Sequence, residues 1–408
     1  MNKKLIEVAI PLEAINKESS REKSIRHGHP STLHLWWARR PLATTRAVLF
    51  ASLVDDPSSH PDLFPTEEEE NKERERLFQI IEELITWENS NDPTILEKAR
   101  REISKYVSDP IEFLDPFAGG GAIPLEAKRL GLNTHAYDLN PVAVTINRAM
   151  IDLPSRFRNK GPVNPEFKFK KIPSWYTGSE GLAEDVRYYG NVLKDVVWNR
   201  VKQYYPSYEN NKGTEDTVIA WLWSRTVTCP NPLCRCIVPM IKSTTLSTTQ
   251  KKYVDFETSE NDIKFIITEE KPDIESTVVN KRGGICPKCH TTINLEYLYD
   301  EYKKGRVNPK MMAVVCDGNP GRKYYAPYPK QTKASDVSRP EDLPDVKIEG
   351  SNRDVHVRHY GIDCFTDLFT NRQLMILKEL CDALKEVKDR IIKDALANGT
   401  WGGGFTPK

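Results

Sequence analysis

Residues 111–121 read Ile-Glu-Phe-Leu-Asp-Pro-Phe-Ala-Gly-Gly-Gly and predict a buried strand that ends in an acidic, glycine-rich turn. The apolar residues form the strand, and Asp115 closes it. The three glycines allow the backbone to pass close to a neighbour that a Cβ atom would obstruct. A helix is expected from about Ala122 to Leu130. A turn without any ligand is the alternative interpretation, because glycine-rich turns are common.

The following segment predicts a second strand and a second carboxylate. Gly131 suits the position just after a helix, and residues 133–138 alternate like a strand that ends at Asp138. Asp138 follows Gly121 by 17 positions (138 − 121), near the spacing that places a carboxylate beside ribose hydroxyls. Asn140 is expected to cap the next helix. These elements make a βαβ unit, so the sequence predicts an α/β fold with a Rossmann-like core and a sheet that is incomplete within this chain.

The acidic turn favours a cationic or amine-bearing ligand. A dinucleotide fold requires Gly-x-Gly-x-x-Gly, and that spacing does not occur here. A carboxylate at Asp115 would also repel a phosphate group. S-adenosyl-L-methionine, in contrast, carries a sulfonium and an α-amino group.

Several motifs resemble those of a known enzyme family. Residues 115–121 resemble the cofactor motif of amino-methyltransferases, and residues 138–141 resemble their second motif. Residues 29–42, the cysteine pairs described below and residues 367–374 are similar to the zinc-ribbon adenine-specific DNA methylases of prokaryotic phage-defence islands. The resemblance implies a Rossmann-like enzyme that transfers a methyl group from S-adenosyl-L-methionine to adenine N6 in DNA. The cofactor-binding residues that it implies are Asp115, Pro116, Phe117, Gly119, Gly120, Gly121, Asp138, Leu139 and Asn140.

One motif of that family is missing from these 408 residues. Amino-methyltransferases use an Asp/Asn/Ser-Pro-Pro-Tyr/Phe/Trp tetrapeptide to hold the target amine and stack on the base, and no such tetrapeptide occurs here. We expect it beyond Lys408 or on a second polypeptide. The hypothesis is therefore a cofactor-binding half that transfers no methyl group alone. The alternatives are a catalytically silent zinc-ribbon nucleic-acid-binding or regulatory subunit, and a fragment of an RNA guanine/adenine methyltransferase. The sequence leaves the choice between adenine N6 and cytosine N4 open.

The cysteine spacing predicts a structural zinc site. Cys229 and Cys234 form one pair, Cys286 and Cys289 form another, and β-rich segments separate them as in a zinc ribbon. Four thiolates make a closed tetrahedral set with no open position for water. The fourth ligand is the least certain, since Cys236 and His290 flank the pairs. Two unrelated thiol pairs are the alternative interpretation.

The charges of the chain nearly cancel, with 59 Lys and Arg residues against 58 Asp and Glu residues. Contact with DNA must therefore come from local basic groups. A hypothesis places that contact on the ribbon, with stacking by Tyr253 and Phe256; its basic residues are Lys242, Lys251, Lys252, Lys281, Arg282 and Lys288. The alternative is a solvated surface around a scaffolding module.

The chain shows no signal peptide and no apolar run of spanning length, so no membrane contact and a cytoplasmic location are expected.

A helix that opens at Ser31 or Thr32 is expected to bury Leu33, Trp36 and Trp37. Asp185 matches the family pattern, with no role assigned. Four regions are predicted: an N-terminal helical region over 1–110, a cofactor-binding half over 111–215, a zinc-ribbon insert over 216–330, and a linker with a C-terminal helix over 331–408.

Overall fold

The computed structural model describes residues 2–108, 110–167, 178–279, 283–351 and 354–397. It divides into two compact units, Met1–Val186 and Arg187–Lys408. The structure is mixed α/β with several small sheets. The four regions predicted from the sequence do not coincide with these units, since the region over 111–215 crosses the boundary after Val186. Their boundaries stay predictions.

The first unit is mostly helical and contains one small sheet. Its α-helices and strands, in chain order, are α1 Leu5–Val8, α2 Leu12–Glu22, α3 Leu42–Leu53, α4 Glu67–Ile85, α5 Pro93–Ile103, β1 Glu112–Asp115, α6 Ala122–Arg129, β2 Asn133–Ala136, α7 Pro141–Asn147 and α8 Leu153–Arg156. A π-helical turn at Arg148–Asp152 joins α7 to α8. A further helix, α9 Glu180–Val201, begins in this unit and ends in the second.

The core of the first unit lies among α3, α4 and α5. The apolar face of α4 is fully buried at Leu77 and Ile81, where it packs against Phe50 of α3. Thr66 begins α4 by accepting a hydrogen bond from the amide of Glu69, whose carboxylate accepts one from the Thr66 amide. The acidic first turn suits the positive end of the helix dipole. The sequence therefore sets both the start and the buried face of this helix.

Strands β1 and β2 are parallel, and α6 connects them. Leu114 pairs with His135 in the register, and the Asn133 amide donates to the Ile111 carbonyl at 2.9 Å. Gly131 follows α6 with a φ of +88°, a conformation that glycine adopts without strain. The βαβ unit predicted from the sequence is confirmed. A larger Rossmann-like sheet is not part of the described residues and stays a prediction.

A buried ion pair holds α6 against α3. Arg46 Nε lies 3.1 Å from Glu126 Oε2, and both side chains are almost completely buried. Burial raises the pKa of Glu126 and lowers the pKa of Arg46, because it disfavours the charged form of each group. Arg46 also donates to the Leu84 carbonyl at 2.6 Å, so one side chain connects three helices.

We predict that Arg46→Met will lower the free energy of unfolding by about 3 kcal/mol, because it leaves Glu126 buried with one cation fewer. Urea denaturation of the full chain, followed by circular dichroism, measures the change. The matched control is Arg101→Met, which removes an exposed cation paired with Glu97 and should cost less than about 0.5 kcal/mol. Equal effects of the two substitutions would contradict the role given to the buried pair.

The second unit combines short antiparallel sheets with two long helices. Its strands and remaining α-helices are β3 Tyr208–Glu209, β4 Glu215–Asp216, β5 Val218–Thr228, β6 Ile237–Met240, β7 Thr245–Ser247, β8 Lys252–Thr258, β9 Ile263–Thr268, β10 Val278–Val279, β11 Gly283–Ile285, β12 Thr292–Ile293, α10 Leu295–Lys303, β13 Asn308–Asp317, β14 Arg322–Tyr325, α11 Pro329–Ala334 and α12 Asn371–Ala397. Helix α12 packs against α9 through Ala383 and Val197.

The largest sheet has the strand order β14-β13-β5-β6, and all its neighbours are antiparallel. Two three-stranded sheets, β7-β8-β9 and β10-β11-β12, lie within the residues that the sequence predicts as a β-rich insert. Strands β13 and β14 form an antiparallel hairpin. The predicted C-terminal helix is confirmed as α12.

Candidate functional site

The glycine-rich turn after β1 is held by backbone hydrogen bonds. The Ala118 amide donates to the Tyr137 carbonyl at 2.9 Å, and the Gly121 amide donates to the Ala118 carbonyl at 2.8 Å. Gly119 and Gly121 have φ values of +51° and +76°, which L side chains rarely adopt. The backbone conformation alone therefore favours glycine at these two positions.

Asp138, the second predicted carboxylate, braces this turn. Its Oδ2 accepts a hydrogen bond from the Gly119 amide, and its Oδ1 accepts one from the Asn140 amide, both at 2.8 Å. Asn140 in turn caps α7 by accepting from the Val142 amide at 2.9 Å, as predicted. Both oxygens of Asp138 thus have a partner inside the protein. Its predicted contact with ribose hydroxyls would use the remaining lone pairs and stays a prediction.

Asp115 differs from Asp138 because the described residues provide a hydrogen-bond partner for only one of its two oxygens. Its Oδ1 accepts from the Phe117 amide at 3.0 Å. Its Oδ2 is buried and lacks a hydrogen-bond partner among the described residues. A buried carboxylate oxygen without a donor is costly, so this atom favours a ligand that brings a hydrogen-bond donor or a positive charge.

The other predicted contact residues lie at the surface of the same turn. The side chain of Phe117 is 86% exposed and that of Leu139 is 100% exposed. Pro116 is exposed as well. None of these three side chains is needed to fill the core, so they are available to a ligand or to another protein surface.

Asn147 is a site residue that sequence reasoning missed. Its Nδ2 donates to the Gly119 carbonyl at 3.0 Å and to the Ala143 carbonyl at 2.8 Å. Its Oδ1 is buried and has no hydrogen-bond partner in the part of the chain that the structure describes. A Cβ atom added to Gly121 would lie 2.7 Å from this oxygen. The available signal was a polar amide that follows the buried apolar positions Ala143 and Ile146 of α7, where it needs partners inside the protein.

The segment between Pro30 and Pro41 is not the predicted helix. Only a short 3-10 turn, Pro30–Thr32, forms, and the side chains of Leu33 and Trp37 are 55% and 83% exposed. Trp36 instead packs on the glycine turn. A Cβ atom added to Gly120 would lie only 2.8 Å from the Cβ atom of Trp36. The expectation of a helix was wrong because packing on the turn overrides the local helical pattern.

A buried histidine anchors this segment. His29 Nε2 lies 2.9 Å from Glu22 Oε1, and both side chains are buried. Its Nδ1 accepts from the Ser31 amide at 3.0 Å and from Arg39 Nη1 at 2.9 Å, so the proton is on Nε2. Burial lowers the pKa of His29, which matches a neutral ring.

The segment and the turn enclose a narrow cleft. Its lining includes His34, Trp36, Arg39, Gly120 and Met150. An arginine and two aromatic rings thus lie beside the backbone of the glycine turn.

Four cysteine thiols of the second unit converge on one point. The Sγ atoms of Cys229, Cys234, Cys286 and Cys289 all lie within 4.8 Å of one another. The distance between the Sγ atoms is 3.6 Å for Cys229 and Cys289 and 3.8 Å for Cys234 and Cys286. A tetrahedral site with Zn–S bonds of about 2.3 Å places neighbouring sulfurs about 3.8 Å apart. The four residues predicted from the sequence therefore have the geometry to bind a metal ion.

Two tight turns bring these thiols together. The Cys229 amide donates to the Cys236 carbonyl at 2.9 Å between β5 and β6, and the Cys286 amide donates to the Thr291 carbonyl at 2.9 Å between β11 and β12. Three of the four ligands are buried, and Cys289 is half-buried. His290, an alternative ligand in the sequence, is exposed and lies outside the metal-binding group found among the described residues.

Cys236 is a fifth thiol beside this group. It is completely buried, and its Sγ lies 3.4 Å from that of Cys286 and 3.5 Å from that of Cys234. Burial raises the pKa of Cys236 to about 12 and also raises the pKa of Cys229. Hydrogen bonding with Thr291 lowers the pKa of Cys289 to about 6. A divalent cation would compensate the thiolate charges that burial otherwise disfavours.

We predict that elemental analysis of the purified chain will find about one zinc ion per molecule. Cys286→Ser should abolish this content and destabilise the small cluster that includes Val227, Val238 and Leu298, because metal binding supplies folding free energy there. Cys316→Ser removes a buried thiol that is not part of the group and is the matched control.

Cys236→Ser tests the choice among the five thiols, and zinc should be retained in this variant. Loss of zinc from it would place Cys236 in the ligand set. A wild-type chain without metal would refute the site.

The basic groups predicted to contact DNA are only partly free. Lys252 is paired with Glu269 at 2.6 Å, and the Phe256 ring packs edge to face against Phe265 inside a small core. Lys281 and Arg282 lie outside the described residues. The ribbon thus contributes less free charge and stacking surface than the sequence suggested, and DNA binding stays a prediction.

Two further residues of the family-like pattern have structural partners. Asp185 accepts hydrogen bonds from the amides of Val163 and Asn164 and so anchors a loop of the first unit. In the second unit, the Arg372 guanidinium lies 4.9 Å from the ring centre of Tyr205 and 4.5 Å from that of Trp221. Both residues are explained by packing and hydrogen bonding.

Comparison with known proteins gives one family match. Residues 9–80 match a family described as a protein of unknown function, DUF1156. No curated protein and no solved structure gives a significant match to the chain. The matched residues include Trp36, which packs on the glycine turn, and Arg46, which pairs with Glu126 of α6. Within the described ranges, no helix combines the length and apolar character needed to cross a membrane.

Proposed function

We propose that the chain is the S-adenosyl-L-methionine-binding half of an amino-methyltransferase that acts on adenine N6 in DNA. The observation that carries the proposal is the buried, unpartnered Oδ2 of Asp115 beside a glycine turn at the end of a parallel strand. Ligands of α/β folds bind at the carboxyl ends of such strands. The resemblance of residues 115–121 and 138–141 to methyltransferase motifs supports the choice of ligand.

The residues present fit the proposed cofactor. The Asp115 carboxylate would accept a hydrogen bond from its α-amino group and attract its positive charge. The Asn147 Oδ1 atom offers a second buried acceptor without a partner. The cofactor supplies a methyl group that its sulfonium makes electrophilic. Asp138 and Asn147 would hold the Gly119 backbone in place on either side of the turn, so the binding surface is formed before the ligand arrives.

The target amine would need further residues from outside these 408. The Pro-Pro tetrapeptide that holds such an amine does not occur in the sequence. We therefore propose that the catalytic half is on polypeptide outside this stretch and that the base is flipped toward it, since a stacked base is out of reach. The zinc ion would stabilise the ribbon, because four thiolates leave no position for a reacting group. A role in phage defence or restriction-modification belongs to the same proposal.

A ligand-free turn is the second candidate, and one observation favours it. Gly119 and Gly120 have no side chains, and Trp36 fills the space beside them. On this interpretation the glycines serve packing only, and the chain is a silent zinc-ribbon subunit. The two candidates differ in whether the turn binds S-adenosyl-L-methionine.

We predict that isothermal titration calorimetry will detect S-adenosyl-L-methionine binding to the wild-type chain. Asp115→Asn should weaken that binding by about tenfold or more, because it removes the charge while keeping an acceptor for the Phe117 amide. Glu112→Gln is the matched control: it removes an exposed carboxylate from the same strand, one paired with His135. The affinity of this control should equal that of the wild type.

The calorimetric result separates the candidates. Absence of binding to the wild type, with its fold intact by circular dichroism, would refute the cofactor and favour the silent subunit. Equal losses in the Asp115 and Glu112 variants would show a general charge effect and would remove the specific role of Asp115.

A further inference from the structure

Three of the five neighbouring thiols of the second unit form a triangle of their own. The Sγ atom of Cys236 lies 3.5 Å from that of Cys234 and 3.4 Å from that of Cys286. The Sγ atoms of Cys234 and Cys286 are themselves 3.8 Å apart. Cys236 is not one of the four residues that converge as the zinc set. The triangle is therefore a second group of thiols, which shares two members with the first.

This triangle is the most deeply buried part of the cysteine cluster. The exposed fraction of the residue is 6% for Cys234 and 0% for both Cys236 and Cys286. All three pack in one small core with apolar side chains such as Val238 and Ile293. Sulfur ligands in apolar surroundings suit a soft metal ion, since hard cations such as Mg²⁺ and Ca²⁺ prefer oxygen ligands.

Two turns of the backbone hold the three thiols together. Arg235, between Cys234 and Cys236, has a φ of +43°, and its amide donates to the Asn231 carbonyl at 3.0 Å. This left-handed residue closes the first turn, and the thiols on either side of it meet at 3.5 Å. Cys286 comes from the second turn, between β11 and β12. The positions of the three sulfurs are thus set by the fold before any ion arrives.

The size of the triangle suits a three-coordinate ion. A metal–sulfur bond of about 2.3 Å places three sulfurs about 4.0 Å apart when the ion lies in their plane, and closer together when it lies above that plane. The sides observed are 3.4, 3.5 and 3.8 Å. Each side would therefore widen by at most about 0.6 Å on binding. A buried cysteine that serves only as a small apolar side chain needs no such contact with two further thiols.

We propose that Cys234, Cys236 and Cys286 form a three-thiolate site for a soft monovalent cation, copper(I). Soft thiolate ligands select this ion, and binding replaces the three thiol protons without any oxidant or reductant. Because the two sets share Cys234 and Cys286, copper(I) and zinc are alternative occupants. The site goes beyond the proposed methyltransferase function and does not depend on it, since all its residues lie in the second unit.

The test titrates the full wild-type chain with copper(I) in oxygen-free buffer, in competition with a colorimetric copper(I) chelator. The chain should bind one copper(I) ion per molecule, and X-ray absorption at the copper edge should count three sulfur ligands. Since two ligands are shared, zinc should leave the protein as copper(I) is added. A zinc-sensitive dye measures this release.

Cys236→Ala is the decisive variant, because it removes one sulfur of the triangle and keeps an apolar side chain in the core. Copper(I) binding should weaken by at least about tenfold, since even the loss of a hydrogen-bond partner of a metal ligand costs about 10–100-fold in affinity. Zinc should be retained on the other four thiols, which also shows that the fold is intact. Cys316→Ala is the matched control: it removes a completely buried thiol from a different core and should leave the binding of both metals unchanged.

Every other result would overturn the proposal. Unchanged copper(I) affinity in Cys236→Ala, or four sulfur ligands at the copper, would place the ion on the zinc set. Loss of zinc from this variant would make Cys236 a zinc ligand. Equal losses of copper(I) binding in both alanine variants would show a general effect of thiol removal.

Two results on the wild-type chain would overturn the proposal as well. A chain that leaves copper(I) on the chelator has no such site, and copper(I) binding without zinc release would mean that the two sets share no ligands. Calorimetry with S-adenosyl-L-methionine reports on the first unit. Failure of the copper site would therefore leave the proposed methyltransferase function standing, and the reverse also holds.

Discussion

The hydrogen bond from the Gly119 amide to the Asp138 carboxylate joins the ends of the two parallel strands. It comes from residues 19 positions apart (138 − 119) and holds the turn in the conformation that the glycines permit. The other side of the turn is held by Asn147, which donates to the Gly119 carbonyl. With both backbone groups of Gly119 occupied, Asp115 is the carboxylate of this turn whose buried oxygen has no hydrogen-bond partner among the described residues. The chemistry proposed for this turn follows from that division of roles.

The helices of the first unit hold the glycine turn in place through buried polar contacts. Burial disfavours the charged forms of Arg46 and Glu126, and their approach to 3.1 Å, with Arg129 as a second cation beside Glu126, offsets that cost. Their pairing ties the helix after the glycine turn to the most buried helices of the unit. His29 performs a similar role for the segment that carries Trp36, since its neutral ring bridges Glu22 and Arg39. Buried polar groups, rather than the apolar core alone, thus determine where the turn lies.

In the second unit, the cysteine cluster takes over part of the role of a hydrophobic core. The strands around it are two to four residues long, apart from β5, and few apolar side chains accompany them. Short strands with little buried apolar surface need a further source of stability, and a metal ion held by the four thiolates would supply it. The crowding of Cys236 against two of those thiols is a consequence of packing five sulfurs into this small space.

The sequence alone determined the local elements and the sets of residues that meet. The βαβ unit, the caps at Thr66 and Asn140, and the four cysteines with metal-ligand spacing were all predictable, because each depends on residues close together in the chain or on the strict spacing of one residue type. Only the tertiary structure decided that residues 33–40 are not helical, that Asp138 braces the turn and that Asn147 completes it. These outcomes depend on contacts between residues distant in the sequence, where packing of Trp36 on the glycine backbone outweighs helical propensity. For the same reason, the tertiary structure decided that one oxygen of Asp115 has no partner among the described residues.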